Sequence, residues 1–132
     1  MSKINNDSHL TPKEYEIMKT LWGNEKPLTI KDLIEKVENI SENSLHPTIR
    51  RLIDKGFIMI AGSVKVAKTN SRLYAPNLTV DEYAAMKLDD ILKQSENANL
   101  SNIMLYFTKN YSGDDDIFAQ IEDFVNQYKN KN

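Results

Sequence analysis

Between Ser41 and Lys55 the chain carries Ser44, His46, Thr48, Arg50, Arg51 and Lys55, all of which can donate hydrogen bonds and three of which hold a positive charge. Interleaved with them are Leu45, Ile49, Leu52 and Ile53 at i, i+4, i+7 and i+8, a spacing that predicts one helix with an apolar stripe turned inward. The polar set is left on the remaining surface, where it can reach base edges and phosphates. A plainer reading is an ordinary solvated amphipathic helix. Gly56 follows where a left-handed C-cap would sit, and Phe57, Ile58 and Ile60 then begin a strand.

Catalytic chemistry finds little to work with. The two histidines are His9, in a polar tail, and His46, on the candidate helix; four scattered glycines make no phosphate loop. There is no cysteine, which excludes disulfides, thiolate metal sites and thiol catalysis. Asp114-Asp115-Asp116 could attract a divalent cation, but a run of acids at a helix start is more simply a solvated cap. Asp89-Asp90 reads as helix surface. No enzyme activity, cofactor or metal is expected.

The elements that must hold the polar helix come before and after it. In LTPKEY, Thr11 reads as an N-cap, Pro12 as the first helical residue and Glu14 as the capping-box partner, with Leu10 and Tyr15 as a hydrophobic staple. This first helix runs to Leu21 or Trp22, buries Ile17, Met18, Leu21 and Trp22, and stops at Gly23. After the turn at Glu25-Lys26-Pro27, Leu28 forms a very short strand. Thr29 and Asp32 cap a second helix that turns Leu33, Ile34 and Val37 inward. Two short helices with a tight connection, the second rich in hydrogen-bonding groups, make a helix-turn-helix. Pro47 leaves two starts open for the polar helix. With Ser44 as cap, proline falls in the first turn, where its missing N–H is harmless; with Ser41 as cap, it lies in the second turn and costs about 3 kcal/mol.

Downstream, residues 57–64 and 72–76 read as antiparallel strands joined by the polar, basic stretch KVAKTNS. Lys65, Lys68, Thr69 and Asn70 lie near the tip of this hairpin wing, and Arg72 at its exit. The alternative is a solvated loop. Leu78-Thr79-Val80-Asp81-Glu82-Tyr83 repeats the signals of the first helix, so a second region begins at residue 77, with a helix to about Gln94. Ser95–Asn99 is a polar break. Leu100, Ile103, Met104 and Phe107 mark the next helix, Ser112-Gly113-Asp114-Asp115-Asp116 a turn, and Ile117, Ile121, Phe124, Val125 and Tyr128 a last stripe. Three short helices with one apolar face each make a poor free-standing core, so a second copy is expected to cover them. Tyr106 and Phe107 read as core.

Charge separates the same two regions. Residues 1–76 hold 12 basic and 9 acidic residues, about +3, and residues 77–132 hold 5 and 10, about −5. Only the first region is suited to a polyanion. No apolar run reaches the length of a membrane span and no signal-peptide core is evident, so a cytoplasmic location without membrane contact is expected.

Taken together, LTPKEYEIMKTLW, SENSLHPTIRRLIDKGFI, RLYAPNLTVDEY and SNIMLYFTKN resemble the penicillinase-repressor family, the BlaI/MecI/CopY group of bacterial repressors, over residues 10 to about 128. The resemblance implies a winged helix followed by a helical dimerisation domain. It also implies a homodimer that represses transcription from palindromic operators, often of β-lactam resistance or copper-handling genes. By position, Asn43, Ser44, His46 and Arg51 match recognition-helix residues that face DNA in relatives, and the resemblance favours Ser41 as the cap of that helix, with a local distortion at Pro47. The cysteine metal motif of the copper-responsive branch is missing. The β-lactam branch is cleaved by a regulatory protease at an Asn-Phe bond; the matching bond here is Tyr106-Phe107. LHPTIRRLIDKGFI is similar also to the PadR repressors, which sense small molecules, but the LTVDEY junction and the C-terminal part favour the first family.

The expectation is a mostly α protein with a small antiparallel β wing: a winged helix-turn-helix DNA-binding domain over 1–76 and a helical dimerisation domain over 77–132. The DNA contacts are expected from Asn43, Ser44, His46, Thr48, Arg50, Arg51, Lys55, Lys65, Lys68, Asn70 and Arg72. Dimer contacts are expected from Leu100, Ile103, Met104, Phe107, Ile117, Ile121, Phe124, Val125 and Tyr128. Partners would be double-stranded operator DNA, a second copy and a regulatory protease. The rivals are a PadR-like repressor responsive to a small molecule and a winged-helix protein–protein adaptor that binds no DNA.

Overall fold

The computed structural model describes residues 9–110 and 115–131, the side chains of 115–118 and 131 excepted. Ile117 as a dimer contact, Asp114 with the side chains of Asp115 and Asp116, and the turn at Ser112-Gly113 therefore lie outside what is described. Six helices and one hairpin follow in the order α1 Pro12–Trp22, α2 Ile30–Lys36, α3 Glu42–Asp54, β1 Ile58–Val66, β2 Thr69–Pro76, α4 Val80–Gln94, α5 Leu100–Asn110 and α6 Asp115–Lys131. This is a winged helix-turn-helix, α2 and α3 being the two helices and β1–β2 the wing, followed by further helices.

Local sequence accounts for the boundaries. Reciprocal capping boxes start α1 (Thr11 with Glu14), α2 (Thr29 with Asp32) and α4 (Thr79 with Glu82). Ser41, not Ser44, caps α3, its side chain accepting from the Ser44 N–H. Pro47 thus lies inside the helix, and the amide it lacks would have bonded to the Asn43 carbonyl. Burial of Leu45, Ile49 and Leu52 from the opposite face offsets that loss, since each fully buried apolar side chain contributes about 1.5–3 kcal/mol. The far end of α3 closes as a Schellman motif. Gly56 at φ 85° donates to the Ile53 carbonyl and Phe57 to the Leu52 carbonyl, while the Leu52 and Phe57 side chains are both fully buried.

The wing is longer and tighter than its sequence suggests. β1 and β2 pair antiparallel up to Val66 opposite Thr69, so a two-residue turn, Ala67-Lys68, replaces the expected seven-residue loop. Alternating Val64 and Val66 carry strand character through the polar stretch, and Ala67 takes a left-handed φ of 57° to close the turn. Between Ile60 and Ser63 the register slips, with Gly62 at φ 121°, so Ala61 and Gly62 bulge opposite Leu73. Leu28 bridges Tyr74 as the short third strand.

Two compact units divide the chain inside α4, 1–88 and 89–132. In the first, Ile17, Met18, Leu21, Leu33, Leu45, Leu52 and Phe57 form the centre of the core, and Tyr83 and Met86 of α4 pack against it. Trp22 donates its indole N–H to the Leu78 carbonyl at 2.9 Å, and its ring lies 5.4 Å from that of Tyr83. In the second unit, Leu100, Met104, Phe107, Phe124, Val125 and Tyr128 are all exposed, and Ile103 and Ile121 are half-buried. Tyr106 and Phe107, expected in a core, are exposed in the single chain and meet edge to face. Among the described residues no helix is long and apolar enough to cross a membrane.

Candidate nucleic-acid interface

The apolar stripe of α3 fixes which of its polar residues reach solvent. Asn43, His46, Arg50 and Arg51 are exposed, and Ser44 is half-buried beside the cap, its hydroxyl 3.1 Å from that of Ser41. Thr48 is 1% exposed. Its hydroxyl donates to the Ser44 carbonyl at 2.8 Å and accepts from Arg51 Nη2 at 3.1 Å, so it serves the helix and its neighbour rather than an open surface. Lys55 is half-buried, and its ammonium donates to Glu14 Oε1 at 2.9 Å and to the His9 carbonyl at 3.0 Å. Neither Thr48 nor Lys55 presents the free side chain the sequence suggested, because α3 is covered along more of its surface than the aliphatic residues alone mark out, Lys55 by Glu14 of α1.

The wing's register gathers the remaining basic groups. Lys65 lies opposite Asn70 and Ser63 opposite Arg72, so Lys65, Asn70 and Arg72 share one face. Lys68 stands on the turn. Val64 and Val66 take the other face. Arg72, Asn70 and His46 then line a single groove of about 600 Å³ between the wing and the helix-turn-helix, joined by Lys31 from the first turn of α2. Glu42 stands on the same groove with its carboxylate 3.9 Å from the His46 ring nitrogen, the one acid among its lining residues. From the sequence alone α2 is only a support, and Lys31 carries no mark of a contact residue. The helix-turn-helix layout supplies one: its first helix crosses the nucleic-acid backbone, and Lys31 is exposed just after the cap.

Glu14, a capping residue by sequence, has a further set of partners. It is buried at 1% exposure, beneath the C-terminal half of α3. Its Oε1 accepts from the Thr11 N–H and from Lys55, both at 2.9 Å, and its Oε2 lies 3.6 Å from Arg51 Nε. Burial pushes this carboxyl up, but the Thr11 amide, the Lys55 hydrogen bond and charge, and the Arg51 charge outweigh it and hold the group below the ordinary carboxylate value.

Over residues 10–127 the sequence matches the penicillinase repressor family. The chain belongs to that family. Membership places it among DNA-binding transcriptional repressors, which are not enzymes. No curated protein matches its sequence. Among solved structures it is similar to Bacillus subtilis PadR, crystallised in complex with operator DNA, at 18% identity over 89% of this chain and 77% of that one, with a TM-score of 0.44. That likeness is too distant to bear on residues or ligands.

Proposed function

We propose that the chain acts as a homodimer that blocks promoters by occupying a palindromic operator, with residues 1–76 binding DNA and 77–132 dimerising. One observation carries the DNA half of this reading: in a member of this repressor family, α3 and the basic face of the wing border the same groove. Asn43, Ser44 and His46 would read base edges, each specific contact contributing on the order of 1–3 kcal/mol. Arg50, Arg51, Lys65, Lys68 and Arg72 would hold phosphates, with Lys31 beside them, adding affinity that falls with salt. Two-fold symmetry sets the half-sites about one helical turn apart, or a multiple of it.

The exposed stripes of the second unit support the dimer, because large apolar side chains left in water, Leu100, Met104 and Phe107 on α5 and Phe124, Val125 and Tyr128 on α6, are the kind of surface that associates. The regulated genes we propose are those of β-lactam resistance or related functions, and the releasing event is cleavage at Tyr106-Phe107 by a regulatory protease. That bond lies within α5, so a protease would need the helix to open locally before cutting.

A salt titration of binding to duplex DNA from upstream of the protein's own gene, against a scrambled duplex, tests the reading. Selective binding that weakens steeply with salt is the expected result. Equal, weak binding to both would favour an adaptor that binds no DNA.

A further inference from the structure

We infer that Glu14 is a positioning residue for DNA recognition: its buried carboxylate, together with the Thr48 hydroxyl, sets the Arg51 guanidinium in place before DNA arrives. The inference rests on the DNA-binding reading above and deepens it. The capping boxes at Thr29–Asp32 and Thr79–Glu82 work with carboxyl residues that are half-buried or exposed. Capping α1 therefore does not require Glu14 to be buried, yet it lies under α3 at 1% exposure, where an ionised carboxylate is retained only with partners.

Those partners come from the recognition helix. Lys55 neutralises Oε1. Oε2 is buried without a hydrogen bond and faces Arg51 Nε across 3.6 Å. On the same guanidinium, Nη2 donates to Thr48. Two directions of a planar fork are thus fixed from beneath, by a charge from α1 and a hydroxyl one turn back on α3. The side chain nonetheless stays 55% exposed, so part of the fork still faces solvent. An arginine held in this way has lost its rotamer freedom before it meets a phosphate or a guanine edge, which is the advantage of a preorganised donor. The separation in sequence, from residue 14 to residue 51, also couples the orientation of α1 to this contact.

The sequence has three arginines, Arg50, Arg51 and Arg72, so each guanidinium Nε–H can be followed separately by NMR in the full chain without DNA. The Arg51 signal is expected to stand away from the free-arginine position and exchange slowly with water, and in Glu14→Gln to move towards the free position. Affinity for the upstream duplex is then compared in wild type, Glu14→Gln, Arg51→Ala and the double variant. Glu14→Gln is expected to weaken selective binding about tenfold and to add nothing to the loss caused by Arg51→Ala. Thr48→Val, which keeps the buried volume but removes the hydroxyl, should behave in the same way. A purely structural role for Glu14 would make the two losses multiply and leave the Arg51 signal unmoved; either result overturns the inference. If wild type shows no preference for the upstream duplex, the DNA-binding reading fails with that arm. The NMR arm still decides the positioning, which a free Arg51 signal in wild type would overturn.

Discussion

Residue by residue, the least expected actor is an acid placed against the face of a helix suited to a polyanion. Glu14 is charged in the folded state because the Thr11 amide, Lys55 and Arg51 outweigh the burial that opposes ionisation. Its folded pKa is below the unfolded value, so its contribution to stability is complete above the ordinary carboxylate pKa, about 4.3. It is lost as pH falls through the lowered folded value. Melting curves from neutral pH downward should therefore show Glu14→Gln less stable than wild type at neutral pH, with the gap closing in acid. A constant gap at all pH values would mean that the carboxylate charge contributes nothing. None of this was legible in the sequence, where Glu14 completes the capping box and nothing in the spacing reveals partners 37 and 41 residues away. Thr48 was hidden for a related reason: a threonine among arginines reads as surface until its burial is known.

At the level of elements, most boundaries could be read because they rest on local signals. Thr11, Thr29 and Thr79 each sit three residues before an acid, and the helices start there. Gly56 announced its left-handed role by following Lys55, just past the end of the apolar stripe of α3. A Gly56→Ala substitution forces a side chain into φ 85° and should cost on the order of 1–3 kcal/mol, as measured by urea unfolding. An unchanged midpoint would show that the Schellman closure does not secure α3. Two elements resisted reading for opposite reasons. Local propensity alone argued for starting α3 at Ser44 while the family resemblance favoured Ser41, and Ser41 is the cap, burial of Leu45, Ile49 and Leu52 overriding the proline. In the wing, the polar composition of KVAKTNS suggested a loop, whereas pairing across the hairpin extended both strands to a two-residue turn. Tertiary packing decided the first case and cross-strand pairing the second, and neither is visible in a window of a few residues.

For the whole molecule, the two units differ in how they are held. The first has a buried centre; among the described residues of the second, none is buried, and most of its large apolar side chains face solvent. On the dimer reading, Phe124→Asp should shift sedimentation from dimer to monomer and lower operator affinity with it, because the two half-sites would no longer be bound together. An unchanged dimer would remove Phe124 from the interface. The aromatic packing of Trp22 then has a practical consequence. It is the single tryptophan of the sequence, enclosed by Tyr15 and Tyr83 and bonded to the Leu78 carbonyl, all within the first unit. The chain is thus spectroscopically lopsided. Selectively excited indole emission reports melting of the winged helix alone, while far-ultraviolet circular dichroism sums the helices of both halves. Heating dilute and concentrated samples would then separate the two without cutting the chain, since only a part that melts with dissociation moves with protein concentration.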